Sequence, residues 1–322
     1  MSKSRVSIIA CGGTGINIVN KCIDSIKKTG SKKIPQGIYA LDTSRDANPP
    51  SEDYTEVFRY NGLNGSGGER AQNYEVIKRE TATFVDKMEP TEFVIIVASS
   101  GGGTGSITQA CAIQSVIDNG GIPIVFMIGD LTSTRYAANT AKSLKGLVTL
   151  SIKNGVSIPF FYEQNSKPQD DEVDAVVSSH IESVVDVLTV GLPGIDPEDL
   201  KSILNAPRAI GIDPYPTRLG VAMSQQGEDL DVCDIEVITA LVVFNTGDDV
   251  RKVPVSAQHY KSTIFNTESG DTLTVYGYLD SELLEGNIKN QQSVERDSKA
   301  RAAKIAESNN AIKNMVDDDI EL

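Results

Sequence analysis

The sequence predicts an α/β protein: a parallel sheet covered on both faces by helices, then a smaller mixed α/β unit, then a long helix and an acidic end. Three observations carry this. Short apolar runs alternate with helix-periodic segments through the first half of the 322 residues, as in a parallel sheet built from strand–helix–strand units. A broad apolar stripe at helical spacing then interrupts the alternation. Beyond it, the region from "RAIGID" to "TVYGYLD" carries several strand-like runs of a second, mixed unit.

The elements follow in order. "RVSIIA" is a short apolar strand, and "INIVNKCIDSIKKTG" places Ile16, Val19, Ile23 and Ile26 on one helical face, with Gly30 as its stop signal. "GIYALDTS", "TEVFRY", "EFVIIVASS", "IPIVFMIGD" and "SIPFFYEQN" read as further strands. Helices "AQNYEVIKRETATFVDKM", "ITQACAIQSVIDNGG" and "YAANTAKSLKGLVTLSIKNG" fit between them. "EVDAVVSSHIESVVDVLTV" then carries Val173, Val176, Val177, Ile181, Val184, Val185 and Leu188 in a stripe wide enough for burial between two bodies. "GLPGIDPEDLKSILN" is a turn and a short helix, "NQQSVERDSKARAAKIAESNNAIKNMV" a long polar helix, and "DDDIEL" an acidic end.

Composition narrows the function classes. A hydrophobic content of 39% with 23% charged residues is ordinary for a soluble globular protein. No apolar run reaches the length of a membrane span, and the first residues lack the pattern of a signal peptide, so a cytoplasmic location is expected. A net charge of −14 repels nucleic acid and anionic membrane, and neither is expected as a direct partner. Four cysteines without CxxC spacing read as buried free thiols, and with two histidines no protein-held metal centre is expected. Nothing resembles the GxSxG of a serine hydrolase.

The chemistry is carried by glycine. "SGGGTGS" follows a strand and opens a helix, with Gly101, Gly102, Gly103, Thr104, Gly105 and Ser106. Such a turn presents backbone N–H groups and a helix dipole to an anion, and the two hydroxyls add donors. "CGGTGIN" repeats the arrangement with Gly12, Gly13, Thr14, Gly15 and Asn17. "NGSGGER" supplies Gly67 and Gly68 after a third strand. Loops after parallel strands gather at one edge, so the three could surround a di- or triphosphate. The alternative for each loop is a tight turn that packs small residues. Asp42 and Thr43 end the second strand, where the carboxylate serves either a hydrated Mg²⁺ or a hydroxyl, or caps a helix. A dinucleotide site competes, but the third glycine of GxGxxG falls at Ile18, and no GxxxxGK[ST] is present.

"SGGGTGS", "CGGTGIN", "GSGGER" and "GIDPED", in this order and flanking a long helix, resemble the phosphate loops and catalytic segment of the tubulin/FtsZ superfamily. "GGTGINIVNK", "ANTAKSLKGL", "FFYEQN" and the acidic end are similar to its phage-encoded, PhuZ-type branch. The chain departs from the family pattern at Ile107, where another glycine is usual, and at Gly194, where an asparagine is usual. The resemblance implies a GTP-binding domain over 1–171, a central helix over 172–191, a catalytic loop and second α/β domain over 192–286, a C-terminal helix over 287–316 and an acidic tail over 317–322. It implies a GTPase that binds GTP or GDP with Mg²⁺ and polymerises with itself, positioning phage DNA or particles in a host cell. A plasmid-partition or division filament is the nearest alternative, and a dinucleotide-dependent oxidoreductase the alternative of another class. The glycine loops with Thr104 and Ser106 would hold phosphates, and Asn17 and Asn165 would meet the base through their amides. His180 is assigned to a further base contact or to a structural role, and Arg70 to the γ-phosphate or a surface ion pair.

Asp196 and Asp199 are the catalytic candidates, able to orient a water against a γ-phosphate; their alternative is to cap the helix that starts at Pro197. A central helix of nineteen residues is about 28 Å long, too long for these carboxylates to reach their own chain's nucleotide. They would reach the nucleotide of the next molecule, in a head-to-tail filament whose active site forms between subunits. The end "MVDDDIEL" is either a solvated, frayed tail or one that docks on a basic patch of that neighbour.

Overall fold

The computed structural model describes residues 5–29, 35–44, 51–71, 73–165, 167, 171–189, 191–225, 228–230, 232, 234–248, 253–265 and 271–318, with side chains of the last stretch through 309. Strands are β1 (Val6–Cys11), β2 (Gly37–Asp42), β3 (Glu56–Arg59), β4 (Phe93–Ser99), β5 (Ile122–Asp130), β6 (Pro159–Asn165), β7 (Thr217–Ser224), β8 (Thr239–Phe244), β9 (His259–Ile264) and β10 (Thr272–Tyr278). Helices are α1 (Gly12–Thr29), α2 (Tyr74–Met88), α3 (Gly103–Asp118), α4 (Thr134–Asn154), α5 (Asp171–Thr189), α6 (Pro197–Ile203), α7 (Ala206–Ala209) and α8 (Glu282–Asp318).

All ten strands form one sheet in the order β3-β2-β1-β4-β5-β6-β7-β10-β8-β9. Strands β1 to β6 pair in parallel. The junction with the later strands is narrow: β6 and β7 pair only through Pro159↔Thr217 and Phe160↔Arg218. Beyond it, β10 runs antiparallel to both β7 and β8. Arg218 reinforces the junction, bonding the Tyr162 carbonyl at 3.2 Å and pairing with Asp280.

Alternation along the buried strands sends neighbours to opposite faces. Ile8, Ile95, Phe126 and Phe161 pack under α1 and α5, in a core that continues to Leu219, Leu241 and Leu273. Ile9, Ile96 and Val125 pack against Phe84, Ile107 and Leu144 on the other side. Helix α5 is buried as its periodicity requires, through Val177, Ile181, Val184, Val185 and Leu188, but Val176 faces outward. The apolar stripe is thus narrower than the sequence suggests, because β-branched residues do not all seek the core.

Two helix starts differ from the sequence reading. The glycines were placed in turns before the helices, yet α1 begins at Gly12 and α3 at Gly103. Helix α8 starts at Glu282, packs Leu283 and Leu284 against the core, and exposes every residue from Arg296 to Asn309. Of the expected tail, Asp317 and Asp318 belong to the backbone of α8, and 319–322 lie outside the described residues, as do Gly30 and Cys233. Cys11, Cys22 and Cys111 are free and buried. Burial pushes the Cys111 thiol up to about 11, which leaves it unreactive at neutral pH. Among the described residues no helix is long and apolar enough to cross a membrane.

Candidate functional site

In an open parallel sheet a crevice forms at the carboxyl ends of the strands where the strand order reverses. Here the reversal falls between β1 and β4, whose neighbours run β2 on one side and β5 on the other. A cleft of about 310 Å³ opens at that place. Its walls are Cys11, Gly12, Gly13 and Thr14 after β1; Asp42, Thr43 and Ser44 after β2; and Gly65, Ser66 and Gly68 after β3. Ser99, Gly102, Gly103, Thr104 and Gly105 after β4, with Tyr136 from α4, complete it. All three sequence-predicted glycine loops therefore meet in one cleft, together with Asp42 and Thr43.

The glycines make this convergence possible by admitting other backbone. A Cβ on Gly15 would strike the Val97 carbonyl oxygen and stand 3.2 Å from its carbon, so α1 can lie against β4 only with glycine there. A Cβ on Gly103 would strike Ser66 Oγ and come within 2.9 Å of the Gly68 carbonyl carbon and the Glu69 nitrogen. Gly102 differs, since a Cβ there would meet nothing closer than 3.8 Å. It is the N-cap of α3 and has no side-chain cap, so the first N–H groups of that helix are left for a guest in the cleft.

Polar contacts lock the loops to each other. The Thr43 and Thr104 hydroxyls lie 2.7 Å apart and join the second and fourth loops. Asn139 of α4, 5% exposed, donates to the carbonyls of Gly68 at 3.1 Å and Gly101 at 2.9 Å, tying the third loop to the fourth. Arg135 donates to the Gly67 carbonyl at 2.6 Å, and Ser143 to the Ser100 carbonyl at 3.1 Å. Sequence reading missed this organising face of α4, because Arg135, Asn139 and Ser143 look like ordinary polar positions of an amphipathic helix. Their spacing of four residues is the signal that was available. Arg70 donates to the Asn139 carbonyl at 3.1 Å and to Ser143 Oγ at 2.7 Å, anchoring its loop to α4.

Asp42 is the acid of the cleft wall and only 3% exposed. Its Oδ1 accepts the Thr43 N–H at 2.8 Å, while its buried Oδ2 has no hydrogen-bond partner and faces Arg59 at 3.5 Å. Burial raises its carboxyl above the usual range, against the opposing pull of the Ser44 and Thr43 N–H groups and Arg59. That oxygen is closed to solvent against Arg59, so Asp42 would meet a Mg²⁺ in the cleft through the water that such an ion keeps.

The remaining predicted residues lie elsewhere. Gly15, Gly101 and Ser106 are buried behind the cleft wall, and Gly67 is exposed between the wall residues Ser66 and Gly68. Ser106 turns its hydroxyl back to the carbonyls of Gly102 and Gly103. Asn17 is exposed on α1, one turn before Lys21, which pairs with Asp171 at 2.9 Å and Asp174 at 3.1 Å at the start of α5. Asn165 ends β6 beside Asp130, with its Oδ1 buried and unpartnered. His180 is well inside α5, against the Phe161 ring at 5.6 Å, its Nδ1 unpartnered and its pKa lowered by burial. Asn17 and Asn165 thus stand near the cleft edge of the sheet, whereas His180 packs on the sheet's middle.

Asp196 and Asp199 are at the opposite edge. Lys201 of α6 reaches Glu92 at 3.2 Å, just before β4 enters the sheet, while Gly101–Gly105 follow the exit of the same strand. Strand β4 has seven residues, so it separates the two places by about 23 Å. The two acids form a reciprocal capping box: Asp196 Oδ1 accepts the Asp199 N–H at 2.8 Å, and Asp199 Oδ2 accepts the Asp196 N–H at 3.3 Å. Asp199 Oδ1 also pairs with Lys261 Nζ of β9 at 2.7 Å, and that hydrogen bond holds its carboxyl below the usual range.

No family model matches the chain. Among curated proteins it is similar to the phage tubulin-like protein of Pseudomonas phage 201phi2-1, 22% identical over 182 residues, 56% of this chain and 55% of that protein. It is also similar to the phage tubulin-like protein of Pseudomonas phage PhiPA3, 22% identical over 229 residues, 70% of this chain and 69% of that one. The match thus spans about half the length of the first relative. Among solved structures, the phage tubulin PhuZ with GDP superposes with a TM-score of 0.78 at 18% identity, covering 92% of this chain and 93% of that one. The PhuZ201 filament gives 0.77 at the same identity and coverage, and an FtsZ dimer from M. jannaschii gives 0.61 at 14% identity over 86% and 88%. These structures share the fold with this chain. In fold this chain is similar to the PhuZ and FtsZ structures, and in sequence to the phage tubulin-like proteins.

Proposed function

We propose that the chain is a GTPase that assembles head-to-tail into filaments and hydrolyses GTP between subunits. One observation carries this reading. The anion-ready cleft and the paired carboxylates lie at opposite ends of the same strand, about 23 Å apart, so neither completes a site within one chain. A contact that joins one end to the other is heterologous and propagates as a filament. In this reading the loops after β1, β3 and β4 hold the triphosphate through backbone N–H groups and the α3 dipole. Asn17 and Asn165 meet the base, and Asp196 and Asp199 of the neighbour orient the attacking water. Through water, Asp42 would hold Mg²⁺, which neutralises developing phosphate charge when bound.

Among the similar proteins, a phage tubulin with GDP and a filament support guanine nucleotide and self-assembly as the chemistry to test first. For the biological role we infer a phage cytoskeletal filament that positions DNA or particles in the cytoplasm of the host, with plasmid partition or division as the alternative. The similarity to tubulin-like proteins favours these readings over a dinucleotide-dependent oxidoreductase.

The experiment is light scattering and phosphate release on the full chain with Mg²⁺ and GTP, a slowly hydrolysed GTP analogue, or ATP. GTP should produce scattering, and Asp199→Ala should assemble while its turnover falls about a hundredfold, an interaction used only in the transition state. No assembly with any guanine nucleotide, at concentrations well above those that saturate binding, would overturn the reading.

A further inference from the structure

The face that carries the paired acids contains a cleft of about 620 Å³, lined among others by Asp199, Ser202, Arg208, His259, Tyr260 and Lys261. Both carboxylate oxygens of Asp199 are engaged there: Oδ1 by Lys261 Nζ and Oδ2 by the Asp196 N–H. Strand β9, which carries Lys261, is tied to the preceding loop a second time, because Thr263 Oγ1 donates to the Pro193 carbonyl at 2.6 Å. The lysine is therefore held in register with the acid rather than drifting past it.

We propose that Lys261 is the positioning residue of Asp199 and bridges it to the phosphates of the neighbouring subunit's nucleotide on assembly. This rests on the head-to-tail reading above. A lysine ammonium has three donors on a flexible stem, so it can keep Asp199 and take a phosphate oxygen together. Near the developing charge it supplies the cation that phosphoryl transfer requires. A carboxylate aimed by the ammonium would otherwise turn wholly inward, into its own capping box.

Charged groups around Asp199 are few. Arg208 comes from α7, His259 from β9 and Asp196 from the same loop. Glu198 and Lys201 of α6 are already paired at 2.8 Å. Lys261 provides the largest influence holding the Asp199 carboxyl below its usual range, by a hydrogen bond. Removing the lysine lets that pKa rise, so the acid becomes protonated, and useless for orienting water, at higher pH.

The test compares wild type, Lys261→Met and Lys261→Arg above each protein's own critical concentration. Measured above its own critical concentration, which the lost contact across the interface should raise, Lys261→Met should lower turnover per assembled subunit about tenfold and move the acid limb of the rate upward. Lys261→Arg should retain most of the turnover. Unchanged turnover in Lys261→Met, or equal losses in both variants, would overturn the proposal. Carboxyl ¹³C titration of Asp199 in the unassembled chain separates the two ideas. An equal Asp199 pKa in wild type and Lys261→Met would sink the role of Lys261 even in a GTPase. Absence of GTP turnover in wild type would instead sink the assembly reading, and with it the bridge to phosphate.

Discussion

The two ends of β4 are built on different physics. At its exit, the loop Gly101–Gly105 shapes a cleft by backbone approach, and the most demanding contacts are between main chains. At its entrance, α6 and β9 present side-chain charge: Asp196, Asp199, Lys201, Lys261 and Glu92. The first end tolerates no added atom at Gly15 or Gly103, where other backbone is in contact. The second tolerates substitution structurally, because its groups are solvated caps and ion pairs worth little to stability. Added atoms at Gly15 or Gly103 should therefore show as unfolding, and changes at the entrance as lost assembly or turnover with the fold intact.

The contrast is sharpened most by Gly15→Ala. Its new Cβ overlaps the Val97 carbonyl, between α1 and β4, where neither backbone can move alone. We expect a loss of about 3 kcal/mol in urea unfolding, at the upper end for overpacking. A change below measurement error would show that the loop packing is looser than described. Next comes Asn139→Ala. It leaves the carbonyls of Gly68 and Gly101 without their donor and should cost about 2 kcal/mol, with weaker nucleotide binding. A variant of normal stability would mean that α4 does not organise the loops. The smallest effect belongs to the other end of the molecule. Deleting Asp317–Leu322 should raise the critical concentration several-fold and leave nucleotide affinity unchanged, with the difference shrinking as salt screens the acidic charge. An unchanged critical concentration at low salt would make the tail a solvated end only.

The same contrast explains what could be read from the sequence. Glycine loops were legible because close backbone approach restricts a position to one residue type, and strands were legible because burial on both faces makes apolar runs. Helix starts are harder to read because glycine is a poor helix former, although here Gly12 and Gly103 form the first turns of α1 and α3. Asn139 was invisible, since its partners, the carbonyls of Gly68 and Gly101, are distant in sequence and carry no side-chain signature. Lys261 was invisible for a related reason: a lysine on a largely exposed edge strand reads as solubility, and only the fold brings it to Asp199. The two readings of Asp196 and Asp199, cap and catalyst, are compatible in space. The capping box fixes the acids at the surface where a neighbour would meet them.

The central claim is that each active site takes its cleft from one chain and its acids from another. The direct test mixes two variants, each expected to be inactive alone: Asp199→Ala, with an intact cleft, and Gly102→Asp, whose added carboxylate fits without collision, caps α3 and repels phosphate, and whose acids are intact. Phosphate release is measured as the second variant is titrated into the first at fixed GTP. The account predicts that turnover appears on mixing and rises with the fraction of mixed contacts. A mixture as inactive as its components, with co-assembly verified by pelleting, would contradict a site shared between subunits.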